Sequence, residues 1–327
     1  MKVVVTGSAG HLGEGLMRTL TEAGVEAVGL DVEPSSFTTV VGSINDQSLV
    51  EATLADAAVV YHAATLHKPH VATHGRQAFV DVNVAGTLTL LEAAVQQGVE
   101  RFVFTSTTSV YGAAMRPPPG APAVWVTEAT QPVPRNIYGV TKRAAEDLCE
   151  LFHRTQGLAC VVLRTSRFFL EVDDDPAVRG RFEDGNVKLL EYLNRRVDLE
   201  DVVDAHLLAA EHAPALGFGR YIVSATSPFV PEDCVDLDRD LAGALARRVP
   251  DAADVFDRLG WQLPDRLDRV YDNAAARRDL AWRPRWNFAR GLALVEAGEL
   301  PVSALARAVG VKGYHEAAFD EGPYPVD

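Results

Sequence analysis

The stretch Lys2-Val3-Val4-Val5-Thr6-Gly7-Ser8-Ala9-Gly10-His11-Leu12-Gly13 decides how the rest of the chain is read. A short β-branched run gives way to a glycine-spaced turn, and Leu12, Leu16, Met17 and Leu20 follow at helical spacing. Glycines 7, 10 and 13 let backbone N–H groups approach a pyrophosphate, with the positive end of the new helix behind them. A second strand, Glu26-Ala27-Val28-Gly29-Leu30, ends in Asp31. A carboxylate there accepts from a ribose 2′-hydroxyl and repels a 2′-phosphate, which favours NAD over NADP. A tight strand–turn–helix that binds nothing is the plainer alternative. It leaves unexplained why strand, turn, helix, strand and acid fall in this order.

Outward from this unit the same pattern repeats. Apolar strands are expected at 38–44, 58–64, 101–106, 160–164 and 220–224, with helices at about 46–54, 79–97 and 136–156. Strictly alternating βα units with apolar strands imply an α/β fold, a doubly wound parallel sheet covered on both faces. The proline-rich segment 116–134 reads as a long ordered loop, and loops of that length are commonly functional. Regularity lapses after Thr165: 167–185 is polar and acidic, with helices expected at about 186–195 and 201–212. Short helical segments with Trp261, Trp282 and Trp286 follow Pro231, the tryptophans reading as core rather than ligand platform. The expected division is a nucleotide-binding domain from 1–165 and about 197–225, and a smaller substrate lobe from about 166–196 and 226–327.

Composition bounds the function. The 327 residues are 47% hydrophobic and 23% charged, an ordinary globule with an ample core. A formal net charge of −14 argues against a surface that tracks nucleic-acid phosphates. Cys149, Cys160 and Cys234 form no metal spacing, and their odd number suits a reducing compartment. No signal peptide and no apolar run of about 18 residues is read, so a cytoplasmic protein without a membrane partner is expected.

Tyr138-Gly139-Val140-Thr141-Lys142 places a phenol and an ammonium one helical turn apart on one face. An adjacent cation favours the phenolate and lowers a tyrosine pKa toward the working range. Such a pair can shuttle a proton to and from a carbinol oxygen. The strand ending at Thr107 should finish at the carboxyl edge of the sheet, where ligands bind, so Thr107 can hydrogen-bond the same oxygen. Ser109 follows; the plainer reading of both hydroxyls is a cap on the turn. His67, His70 and His74 share a loop with Lys68 but are irregularly placed, with no carboxylate to complete a metal shell. No metal is expected; His67 and Lys68 line the substrate pocket or belong to a solvated loop. Arg179 and Arg181 either bind an anion or neutralise their acidic loop.

These residues carry a resemblance. Thr6-Gly7-x-x-Gly10-x-x-Gly13, Asn83-x-x-Gly86-Thr87, Thr107-x-x-x-Tyr111-Gly112 and Tyr138-x-x-x-Lys142 resemble the extended short-chain dehydrogenase/reductases. Within these, the similarity is to the NAD-dependent epimerase/dehydratase family that includes UDP-galactose 4-epimerases. Tyr61-His62-Ala63-Ala64, Glu128, Leu163-Arg164, Glu200-Asp201-Val202 and Leu280-Ala281-Trp282-x-Pro284 extend the match to about residue 290. The resemblance implies a Rossmann-type sheet, an NAD cofactor and a homodimer formed by the two long helices. It implies that Gly7, Gly10, His11, Leu12 and Gly13 hold the pyrophosphate, Asp31 the adenosine ribose, and that Ser43 and Ile44 border the adenine. Ala63, Ala64 and Thr105 would line the cofactor, and Asn83 would support it. Tyr138 would be the general acid/base, Lys142 the ribose ligand that lowers its pKa, and Thr107 the hydroxyl partner. Thr165 to Arg167 would sit beside nicotinamide and substrate, with Arg167, His67, Lys68 and Ser109 on the substrate.

Two departures narrow the expectation. Family dehydratases carry an Asp-Glu pair directly after the catalytic hydroxyl residue; Thr108 and Ser109 stand here, so dehydration is not expected. Nucleotide-sugar epimerases insert a long segment with a strand and an arginine that grips the diphosphate. Here the span from Arg164 to Arg195 is short and shows no clear strand, leaving Arg195, Arg196, Arg266 or Arg269 to supply a cation. The expected function is hydride transfer at a carbinol or ketone of a sugar-like or small hydroxylated substrate. An epimerase working through a retained ketone is the near alternative, and a non-catalytic NAD sensor the distant one.

Overall fold

The computed structural model describes residues 1–173 and 175–313. Its centre is a seven-stranded sheet in the order β3-β2-β1-β4-β5-β7-β8, every neighbouring pair parallel. The elements run β1 (Lys2–Thr6), α1 (His11–Glu22), β2 (Glu26–Asp31), β3 (Val40–Val41), α2 (Gln47–Leu54) and β4 (Ala57–His62). A helix over Arg76–Gln96 follows as α3 (Arg76–Val80), a π turn (Asp81–Ala85) and α4 (Gly86–Gln96). Then come β5 (Arg101–Thr107), β6 (Val124–Val126), α5 (Ile137–Gln156), β7 (Ala159–Thr165), α6 (Pro176–Arg181), α7 (Asp184–Glu191), α8 (Leu199–Leu216) and β8 (Phe218–Val223). The chain continues through α9 (Cys234–Arg239), α10 (Leu241–Arg248), α11 (Ala252–Leu259), β9 (Arg269–Tyr271), α12 (Ala274–Asp279), α13 (Phe288–Glu296) and α14 (Ala304–Val309).

The strands are apolar on both faces because both are covered. Val3, Val5, Val59 and Val161 pack with Leu16 of α1 and Val202 and Val203 of α8 on one side. Val4, Val60, Phe102 and Val162 pack with Leu90 and Leu91 of α4 and Ala145 of α5 on the other. The helix over Arg76–Gln96 is long and apolar enough to cross a membrane, contrary to the absence of such a run expected above. Of its apolar residues, Val82, Leu90, Leu91, Ala93, Ala94 and Val95 pack against the sheet. A separate core gathers Leu189, Tyr192, Leu241, Phe256, Trp286 and Phe288. The two Asp201 carboxylate oxygens accept from the backbone N–H of Arg285 (2.9 Å) and Trp286 (2.8 Å), and the Trp282 indole donates to the Asp201 carbonyl. Asp201 thus joins the two motifs Glu200-Asp201-Val202 and Trp282-x-Pro284, tying α8 to the segment entering α13.

Four elements differ from the sequence reading. The strand expected at 38–44 is only Val40–Val41, because Thr39 turns its hydroxyl onto Gly29 at the edge of the sheet. The segment 116–134 is not wholly loop: β6 pairs in parallel with β9, from Val124↔Arg269 to Val126↔Tyr271. Three residues flanked by prolines carry too little pattern to show a strand whose partner lies so far along the chain. The long helix begins at Arg76 and contains one π turn, and α7 spans 184–191 rather than 186–195.

Candidate active site

One cleft of about 1790 Å³ opens over the carboxyl ends of β1, β2, β4, β5 and β7. At its nucleotide end the glycines are demanded by close approach. Gly7 adopts φ +76°, and a Cβ there would lie 2.6 Å from the Ala64 nitrogen. A Cβ on Gly13 would lie 1.9 Å from the Gly7 carbonyl oxygen. Gly10 is the N-cap of α1, and no side chain caps the helix. The head of α1 therefore faces the cleft as backbone alone, the arrangement that takes a phosphate. Asp31 lines the cleft with one oxygen accepting from Ala9 N–H at 2.9 Å and the other from Glu33 N–H at 3.0 Å. Leu12, Ser43, Ile44, Ala63 and Ala64 line the same end. This cradle fits NAD.

Asn83 lies behind the wall rather than in it. The π turn projects its amide so that Oδ1 accepts from Leu66 N–H (2.8 Å) and Thr65 O–H (2.9 Å), while Nδ2 donates to the Leu66 carbonyl (2.8 Å) and the Thr141 hydroxyl (3.1 Å). One side chain thus fixes the Thr65–Leu66 rim against α5. A second buried chain runs from Thr6 through His62 to Thr87, at 2.7 and 2.9 Å. Thr87 donates to the Asn83 carbonyl, so it accepts from His62 Nε2–H, and His62 Nδ1 accepts from Thr6. Burial, with Lys142 adding to it, holds His62 well below its ordinary pKa, which keeps this tautomer neutral.

Thr107 ends β5 and Tyr138 stands in the first turn of α5, which Asn136 caps by accepting from Gly139 N–H at 3.1 Å. Both hydroxyls line the cleft, and Thr107 is near enough to the phenol to pull its pKa down. Lys142 does not line it: the ammonium is buried one turn below, 4.0 Å from the centroid of the Phe104 ring. The sequence reading expected this ammonium to depress the phenol, and the structure shows otherwise. Burial pushes Tyr138 up to about 12, opposed more weakly by the neighbouring Thr107 hydroxyl. Burial also pushes Lys142 down to about 7, against smaller upward pulls from Cys149 and Glu146. A lysine that has lost its proton near neutrality offers no charge to a phenol titrating far above.

Below this pair lies a buried network absent from the sequence reading. Glu146 accepts from Ser106 O–H (2.5 Å) and from Arg164 at both oxygens (2.9 and 2.6 Å), and Arg164 reaches the Tyr111 hydroxyl (3.0 Å). It locks α5 to β5 and β7 at the height of the site. Glu146 sits four and eight positions beyond Lys142 and Tyr138 on α5, a spacing that reads equally as core.

With this geometry in place, comparison with known proteins is decisive. The model of the NAD dependent epimerase/dehydratase family matches residues 3–223. The chain belongs to that family. It is 32% identical over 189 residues to a UDP-glucose 4-epimerase of Azospirillum brasilense, covering 54% of this chain and 51% of the other, so it spans about half the length of that relative. It is 28% identical to a 3-beta-hydroxysteroid dehydrogenase of Mycolicibacterium neoaurum, covering 89% of both chains. Among solved structures, a short-chain dehydrogenase/reductase superfamily protein from Agrobacterium tumefaciens with bound NAD aligns at a TM-score of 0.67 and 25% identity, covering 94% of this chain and 97% of that one.

The remaining family positions divide by where their side chains go. Ser109 lines the cleft, and its N–H donates to the Thr107 hydroxyl oxygen at 3.1 Å. Thr105 and Thr165 line it too, but their hydroxyls are committed to His206 Nε2 and the Ser106 carbonyl. They shape the floor rather than contact a ligand through oxygen. His67 and Lys68 line the rim, and the His67 ring packs on His70 and Phe169. Among the described residues no group of three His, Cys, Asp or Glu forms a metal site. Arg167 lines the cleft while donating to the Glu171 and Val172 carbonyls. Glu191 is buried, which alone would raise its pKa; Arg167, Arg195 and Arg196 outweigh burial and pull it to about 2. Arg181 pairs with Asp265 and Arg266 with Asp238, both outside the cleft lining.

At the glycine turn His11 meets Glu171 at 2.8 Å, and Glu171 also accepts from Lys312 N–H at 3.1 Å. Lys312 and Gly313 line the cleft. Three distant segments therefore tie across the nucleotide end, a closure that no local sequence pattern announces.

Proposed function

We propose that this protein is an NAD-dependent oxidoreductase acting at a carbinol or ketone of a sugar-like or small hydroxylated substrate. One observation carries the reading: the Thr107 and Tyr138 hydroxyls line one cleft together with the glycine turn and Asp31. The cleft is larger than the roughly 300–1,000 Å³ of ordinary ligand pockets, leaving room for a second molecule beside a dinucleotide.

Gly7, Gly10, Gly13 and the head of α1 hold the pyrophosphate, and Asp31 holds the ribose. Bound NAD supplies the hydride acceptor. Tyr138 takes the carbinol proton as the C–H bond breaks, and returns it in the reverse direction. Thr107 holds the substrate oxygen within reach of the phenol. Lys142, beneath them, supplies the positive charge that favours a phenolate once it is protonated. Thr108 and Ser109 offer no carboxylate to remove a second proton, which weighs against dehydration.

A second reading, epimerisation through a ketone that never leaves, is supported by the His11–Glu171–Lys312 closure over the nucleotide end and by the epimerase relative. Retained cofactor with no build-up of NADH selects epimerisation; released NADH selects the dehydrogenase. We further propose a homodimer through the face of α3 and α5 on which Val80, Val140 and Leu151 are exposed. Screening sugars, sugar acids and nucleotide sugars for change in nicotinamide absorbance tests the reading. Failure of the protein to bind NAD would overturn it.

A further inference from the structure

The protein is acidic, with 45 Asp and Glu against 31 Lys and Arg, yet its cleft is lined by seven Lys and Arg and four Asp and Glu. Two of the four acids, Asp31 and Glu33, follow β2 at the nucleotide end, and Asp173 is paired with Arg195. The cations at the Tyr138 end come from three separate places. Arg116 follows the β5 loop, Arg135 precedes the cap of α5, and Arg269 lies on β9. None of these elements carries the glycine turn, so a dinucleotide pyrophosphate does not explain them.

Arg269 is held as a built group. Nε donates to the Tyr271 hydroxyl at 3.1 Å, and Tyr271 donates to the Met115 sulfur at 3.0 Å. Nη1 donates to Asp268 at 2.7 Å, leaving Nη2 without a hydrogen bond among the described residues. Arg116, the residue after Met115, is exposed and makes no side-chain hydrogen bond or ion pair among the described residues. A fixed guanidinium with open donors beside a second one is a receptor for planar or tetrahedral oxyanions.

We propose that this end of the cleft holds an oxyanion carried by the substrate, a carboxylate or a phosphate ester, on Arg269 with Arg116 beside it. The proposal rests on the oxidoreductase reading and adds the substrate's charge. It places the charged group on the β6–β9 side of Tyr138. The residues between Arg164 and Arg195 do not supply this grip: Arg167 and Arg195 are already engaged with Glu191.

The test is calorimetric titration of the NAD-saturated protein with glucuronate, glucose 6-phosphate and glucose, at low and high salt. At least one charged sugar binds tighter than glucose by about tenfold or more, and salt narrows the gap. Glucuronate as the tighter ligand identifies a carboxylate; glucose 6-phosphate identifies a phosphate. Arg269→Gln brings the charged sugar to the level of glucose and Arg269→Lys restores part of the difference. Arg116→Gln, at an exposed position that the fold does not need, weakens it several-fold. Charged sugars no tighter than glucose, or unaffected by both glutamine variants, would overturn the proposal. So would UDP-glucose binding tightly with no dependence on either arginine. NAD affinity separates the two levels: if wild type does not bind NAD the oxidoreductase reading fails, whereas normal NAD binding without anion preference removes this inference alone.

Discussion

In the proposed mechanism Tyr138 and Thr107 act as single hydroxyls, so their removal is expected to be read in turnover rather than in binding. Tyr138→Phe is expected to lower kcat by roughly 10²–10⁴-fold, the usual worth of a positioned acid/base, with NAD affinity unchanged by calorimetry. Asp31→Ala is expected to weaken NAD by about tenfold and to narrow its preference over NADP, measured by competitive titration. Lys142 carries a pH signature in the cofactor-free protein. Its folded value is about 7 against 10.5 for an ordinary lysine. Between those values the unfolded chain holds a proton that the folded chain lacks, so stability rises with pH across the window. Below about pH 7 the cost of charging the buried ammonium is present in full. Urea unfolding at several pH values between 7 and 10 should show this slope in wild type and a flatter one in Lys142→Met. Equal slopes would place the ammonium in water. The spacing of Tyr138 and Lys142 showed in the sequence; the direction in which each titrates did not, because burial is set by Phe104 and the sheet floor.

Elements hold these residues in register. The glycine turn admits no side chain: Gly13→Ala forces a Cβ onto the Gly7 carbonyl, and should abolish NAD binding as well as lower Tm. Glu146 anchors α5 through Arg164, and removing it leaves a buried guanidinium unpaired. Glu146→Ala should cost about 3–5 kcal/mol in denaturant unfolding. A loss under about 1 kcal/mol would mean the network is not buried as described. The βα alternation, the turn and Asp31 were all legible locally, since each depends on neighbours a few residues away. The π turn that aims Asn83, the β6–β9 pairing and the Arg269–Tyr271–Met115 relay were not. Each joins segments far apart in the chain, and short strands or single bulges leave almost no periodic trace.

Across the whole molecule two features concern association and charge. Val140 and Leu151 are 50% and 40% exposed on α5, and Val80 is 38% exposed on α3. If that face pairs with a second copy, Val140→Asp combined with Leu151→Asp should give monomers by sedimentation with the fold retained. A wild-type monomer would contradict the dimer. The net charge of −14 weighed against nucleic acid as a ligand class, but it hid a cleft lined by more Lys and Arg than Asp and Glu. A sum over the chain carries no information on which residues converge.

Stopped-flow nicotinamide absorbance, recorded when NAD-loaded protein meets the best ligand from the sugar panel, examines the shared-proton arrangement most directly. Wild type should show a rapid change at the bound cofactor whose rate rises with pH, and Tyr138→Phe should bind the same ligand and lose that change. A variant that reduces its cofactor as fast as wild type would contradict the assignment of Tyr138.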